Sequence, residues 1–144
     1  MSISHNAHAS IDGWNTKVCG EPEALDFCRR YKINVVTDTR QKFGKLIYYK
    51  GYTFILINPN LDLGMRLWVL FHEIAHYCLH YPETSRFSPS MKRKNDREAN
   101  YVAAVALMPK FAIEGKTIDQ VAFEYGYPRP VVEIRNTIFQ NEGI

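Results

Sequence analysis

The segment Gly64 to His80 constrains this chain most. Met65, Leu67, Trp68, Val69, Leu70, Phe71, Ile74, Ala75, Cys78 and Leu79 put apolar side chains on most sides of a helix, and a helix that is apolar nearly all round is buried. His72, Glu73 and His76 are polar exceptions inside it. Three ionisable groups in a buried helix are expensive unless they have a task.

Their spacing suggests the task. Four residues is a little over one helical turn, so His72 and His76 lie on one face, close enough to share a cation. Zinc favours imidazole nitrogens in tetrahedral sites that keep one position open for water. Glu73 lies roughly 100° round the helix from His72. There it can take a proton from the water and pass it to a leaving amine without itself being a ligand. Two histidines need a third protein ligand, and His80, Asp96 and Glu98 lie downstream. His80 continues the same face, but ligands from three successive turns of one straight helix converge poorly. Glu98 is the expected ligand, from the first turn of the next strong helix. Asp96, two residues earlier, is expected to point elsewhere. Asn100 and Asp96 are candidate partners for the second nitrogen of a ligand histidine.

Around this segment the pattern alternates between helix and strand. Residues 1–20 are small and polar and read as an irregular arm, with His5 and His8 remote from other ligand types. Glu21-Pro22-Glu23 opens a helix to about Lys32, with proline and acids in its first turn. Ile33 to Thr39, Lys45 to Tyr49 and Tyr52 to Asn58 read as strands, the last two joined by a tight turn at Lys50-Gly51. A small antiparallel sheet is expected. Residues 81–93 read as a loop that runs into the basic stretch Lys92-Arg93-Lys94, and Asp96 to Met108 as a second apolar helix capped by Asn95 or Asp96. Thr117 to Tyr125, with a capping-box start, and Arg129 to Phe139 read as two short helices joined at Gly126-Tyr127-Pro128.

Composition excludes several classes. A net charge of +3 over 144 residues is too weak to indicate nucleic-acid binding. Three cysteines, at 19, 28 and 78, form no disulfide framework and suit a reducing compartment. The N-terminus shows no secretory leader, and the longest apolar run, Val102 to Met108, is far short of a membrane span. A cytoplasmic protein is expected. The helix-turn-helix rhythm of 117–139 offers a DNA reader only Arg129 and Arg135, against Glu133. One of Tyr48, Tyr49 or Tyr52 could donate to an oxyanion, but nothing selects among them.

Phe71-His72-Glu73-Ile74-Ala75-His76-Tyr77-Cys78-Leu79-His80 resembles the zincin helix of the ImmA/IrrE metallopeptidases. Phe54-Ile55-Leu56-Ile57-Asn58 with Leu61 and Arg66 is similar to that family's lead-in. Arg97-Glu98-Ala99-Asn100-Tyr101-Val102-Ala103-Ala104 with Leu107-Met108-Pro109 is similar to its second motif. The resemblance covers roughly residues 21–140. It departs at Ala75, where glycine is usual, and at Tyr101-Val102, where Phe-Ala is common. It implies that Glu98 is the third zinc ligand. It also implies a regulatory endopeptidase, since the family includes proteases that cleave phage or mobile-element repressors. Some relatives carry a fused N-terminal DNA-binding domain, which is not expected here.

The expected architecture is α+β. An irregular arm (1–20) precedes a zincin-like core (21–116), in which a short antiparallel sheet packs on the buried helix, and a helical extension (117–144) packs on that core. The expected activity is zinc-dependent cleavage of a specific protein, a helix-turn-helix repressor, with His72, His76 and Glu98 as ligands and Glu73 as the proton carrier. The rivals are a non-cleaving anti-repressor or toxin–antitoxin module on the same fold, and a DNA-binding regulator. Neither nucleic acid nor membrane is expected as a partner.

Overall fold

The computed structural model describes residues 11–80 and 88–144, the side chain of residue 80 excepted. Among the described residues the fold is α+β, a three-stranded sheet with six helices. The elements run α1 (Glu21–Arg30), β1 (Ile33–Thr37), β2 (Gly44–Tyr49), β3 (Tyr52–Ile57), α2 (Leu63–His80), α3 (Pro89–Leu107), α4 (Lys110–Ile113), α5 (Ile118–Tyr125) and α6 (Arg129–Glu142). No described helix is long and apolar enough to cross a membrane.

The sheet is mixed rather than wholly antiparallel. Its order is β1-β3-β2, with β2 antiparallel and β1 parallel to β3. The chain turns back after β1, forms β2 and then a hairpin through Lys50 and Gly51, both at positive φ (50° and 82°), as a type I′ turn requires. β3 thus enters between its predecessors. Its inward residues Thr53, Ile55 and Ile57 are buried, so the most apolar strand takes the centre. The loop from β1 to β2 wraps the end of β3: Asp38 N–H donates to Ile57 O, and the Asn58 side chain donates to Gln41 O. β2 is left as an edge.

Helix α3 begins seven residues before the expected Asp96. Ser88 caps it, its hydroxyl accepting from Met91 N–H, and Pro89 fills the first turn. Proline suits that position because its missing N–H would be unpaired there anyway. The basic run Lys92-Arg93-Lys94 is therefore an exposed helical face, not a loop. The rest of the expected loop, residues 81–87, lies outside the described residues, as do His5 and His8.

Helices α2 and α3 pack side by side and hold the core, where Leu70, Phe71, Ile74 and Ala75 meet Ala99, Val102 and Ala103. Residues 11–19 are irregular but tied down on α3: Trp14 Nε1–H donates to Val102 O and Cys19 N–H to Ala106 O. The capping box at Thr117 and Gln120 forms as the sequence suggests. Helix α6 packs against α3 and α5. The guanidinium of Arg135, fully buried, donates to the backbone carbonyls of Met108 and Ile144.

Candidate metal centre

His72 and His76 meet as their spacing requires. Their Nε2 atoms stand 3.1 Å apart, with the rings edge to face. A carboxylate oxygen completes the group: Oδ1 of Asp96 is 2.9 Å from His76 Nε2 and 3.5 Å from His72 Nε2. On the far side of His72, Nδ1 lies 2.8 Å from Oδ1 of Asn100. A carboxamide oxygen only accepts, so Nδ1 carries the proton and Nε2 keeps its lone pair toward the group.

The third member is where the structure departs from expectation. Because α3 starts at Pro89, Asp96 sits well inside it and shares a face with Asn100, four residues on. Glu98 is turned roughly 200° from Asp96 on a 3.6-residue helix. It is half-buried and is not among the three residues whose ligand atoms converge. The usable signal in the sequence was the Asp96/Asn100 spacing, which puts both residues on one face of the helix.

Glu73 is 8% exposed and points to the other side of the pair, toward the sheet. Its Oε1 accepts from Leu46 N–H at 3.0 Å. That donor is available because of the ladder register. Asn58 N–H donates to Phe43 O, so the 43–58 pair is hydrogen-bonded. Alternation then turns the N–H and C=O of Gly44, Leu46 and Tyr48 away from β3. The free edge of β2 therefore faces the Glu73 carboxylate.

Electrostatics follows from this burial. Desolvation raises the Glu73 pKa above the ordinary carboxylate value, against the opposing pull of His72 and the Leu46 N–H. Burial alone would lower His72, but the hydrogen bond that its protonated ring donates to Asp96 and the charge of Glu73 outweigh it and the net shift is upward. The hydrogen bond accepted from His72 holds Asp96 low, with help from His76. The centre is thus a tight set of mutually stabilising acid and bases, in which Glu73 is the most basic carboxylate by environment.

A cleft of ≈ 240 Å³ opens beside His72 and Glu73, between the start of β2 and the first half of α2. Tyr48, Tyr49 and Tyr52 are exposed at the hairpin and do not line it.

Residues 28–135 match the peptidase M78 family, described as the IrrE N-terminal-like domain. Among solved structures the chain is similar to a transcriptional regulator of Mycobacterium tuberculosis, with a TM-score of 0.64 at 18% identity, over 90% of this chain and 44% of that one. The chain spans less than half of that protein's length, and at this identity the likeness is one of fold. No curated protein matches the sequence. The family match extends over most of the chain and includes both helices that carry the centre, so this protein belongs to the IrrE N-terminal-like family of peptidase M78.

Proposed function

We propose that the protein is a zinc-dependent endopeptidase acting on a specific regulatory protein, a helix-turn-helix repressor, with His72, His76 and Asp96 as the ligands and Glu73 as the proton carrier. One observation carries the ligand set. Two ligands at about 2.0–2.1 Å from a tetrahedral ion stand about 3.3–3.4 Å apart, and the three separations here, 3.1, 2.9 and 3.5 Å, bracket that value. The donor set, two imidazoles and a carboxylate, suits the metal's preference. A zinc ion held there would polarise a peptide carbonyl and make water a nucleophile at neutral pH.

The chain's own residues supply the rest. Glu73, made more basic by burial, takes a proton from the attacking water and delivers it to the departing amine. Asn100 fixes the His72 tautomer that leaves Nε2 free to ligate. Substrate lies extended along the β2 edge, beginning at the outward backbone groups of Gly44, by strand addition. An extended substrate is favoured because a second concavity lies near the first, with Asn100 lining both. Asn100 also borders a groove of ≈ 520 Å³ between α3 and α6, floored by Tyr101, Ile134 and Ile138.

The choice of a repressor rests on the family's regulatory character and not on the site. Recognition of DNA by residues 117–139 is disfavoured, because Arg135, one of two arginines on the would-be reading helix, is fully buried. The decisive experiment compares wild type with Glu73→Gln against candidate repressors encoded near this gene, followed on gels, with zinc content measured on both. Cleavage by wild type, lost by about 10²–10⁴-fold in a Glu73→Gln protein that keeps its zinc, is the expected result. Undiminished cleavage by Glu73→Gln overturns the mechanism. Binding of a repressor without cleavage, equal in both proteins, selects the anti-repressor alternative instead.

A further inference from the structure

The cleft beside the centre has a chemical character of its own. Met65, Trp68, Val69 and His72 follow one another at the spacing that keeps residues on one face of α2. The face that presents the first histidine therefore continues toward the helix N-terminus as an apolar wall. Phe43 and Gly44 form the opposite wall. Gly44 brings β2 close: a Cβ there would lie 2.6 Å from Val69 Cγ1 and 2.9 Å from Leu56 O. The polar groups that line the slot, His72, Glu73 and Asn100, are already engaged, His72 with Asn100 and Glu73 with Leu46 N–H. Among the described residues no lysine or arginine lines it. Phe43 is 43% exposed at the lip, a large apolar side chain without full cover.

We propose that this slot is the subsite that selects a large apolar side chain, of the leucine or phenylalanine kind, directly flanking the scissile bond, with Phe43, Met65, Trp68 and Val69 as the specificity-determining residues. The proposal rests on the peptidase reading above. Burying an aliphatic or aromatic side chain between Phe43 and the α2 wall removes apolar surface of both partners from water. An acidic side chain would be desolvated between apolar walls beside the Glu73 carboxylate, and a small one would leave the slot unfilled.

The test uses the zinc-loaded full chain and two series of hydroxamates, measured by calorimetry. One series carries the variable side chain on the acyl side of the scissile position, the other on the amine side. Each includes glycine, leucine, phenylalanine and glutamate forms. Acetohydroxamate, which has no side chain, reports the metal alone. The expected result is that in one series leucine and phenylalanine bind at least about 10-fold more tightly than glycine, with glutamate no tighter than glycine. Phe43→Ala should shrink that preference. Met65→Trp, which fills the slot, should abolish it while acetohydroxamate still binds. Equal binding of every side chain in both series, with acetohydroxamate bound, overturns the slot proposal and leaves the peptidase reading standing. A preference unchanged in both variants overturns the assignment to these residues. Failure of acetohydroxamate together with failure of the chain to retain zinc overturns the reading beneath, and the slot with it.

Discussion

The backbone N–H of Leu46 donates to Oε1 of Glu73 at 3.0 Å, across 27 positions of sequence, from the free edge of β2 to the buried centre of α2. This bond aims the carboxylate, and it uses a donor that the sheet does not need. Leu46→Pro removes that N–H from an edge position that tolerates proline. Leu46→Ala removes the side chain and keeps the N–H. The pair should therefore separate packing from positioning. Both should lose some stability, but cleavage should fall by about 10²-fold in Leu46→Pro beyond the loss in Leu46→Ala, the scale on which a small misplacement of a reacting group acts. Equal rates in the two variants would show that the bond does not orient Glu73.

The turn between α5 and α6 is seated on the start of α2. A Cβ on Gly64 would lie 2.1 Å from the carbonyl oxygen of Gly126, which is backbone and cannot swing aside. Replacing glycine by alanine in a helix ordinarily stabilises by up to about 1 kcal/mol. Here the clash should win, and Gly64→Ala should destabilise by about 1–3 kcal/mol, the cost of overpacking a filled contact. Urea unfolding followed by circular dichroism measures it. A raised midpoint would show that the turn yields without cost.

Burial pushes the thiols of Cys19 and Cys28 from 9.0 to about 11, and that of Cys78 to about 12. Thiolate is the reactive form, so the folded protein at pH 8 should resist iodoacetamide while the urea-unfolded protein takes up three labels, counted by mass spectrometry. A stability effect follows from the same shifts. Above about pH 9 the unfolded chain releases thiol protons that the folded chain still holds, so stability present below pH 9 falls as pH rises toward 11. Rapid labelling of the native protein at pH 8 would contradict the burial of these groups.

What the sequence revealed tracks how local the signal was. The i, i+4 pair His72/His76, the all-round apolarity of α2, the Lys50-Gly51 turn and the Thr117 cap are each written within one turn or hairpin, and each element stands close to its expected place. The parallel β1–β3 pairing was not legible, because whether β3 enters between β1 and β2 depends on burial of Ile55 and Ile57 from above, not on any residue of β1. The approach of Asp96 to the two imidazoles was not legible, because which face of α3 turns to α2 is set by packing between the helices, and the start of α3 was missed as well. Ser88-Pro89 is a good helix start, but its place before a basic, serine-rich stretch made it look like loop. A start at Pro89 places Asp96 inside the helix rather than at its cap.

The face of α3 turned to α2 gives the sharpest remaining prediction. Asp96 and Asn100 lie on it and Glu98 does not, so the three side chains should differ in what they do for metal affinity. Asp96 offers the only carboxylate oxygen in the group that converges with the two imidazoles. Asn100 touches the centre through His72 Nδ1 alone. Removing such an orienting partner typically costs about 10–100-fold in affinity, which sets the scale for Asn100→Ala. Asp96→Ala removes a ligand and should cost more than that. Asp96→Asn keeps the shape and loses the charge, and should fall between wild type and Asp96→Ala. Glu98→Ala should bind zinc within a few-fold of wild type. Competition against a chromophoric chelator, on proteins first shown to be folded by circular dichroism, ranks all four. Strong loss in Glu98→Ala with retention in Asp96→Ala would reverse the assignment and return the third position to Glu98.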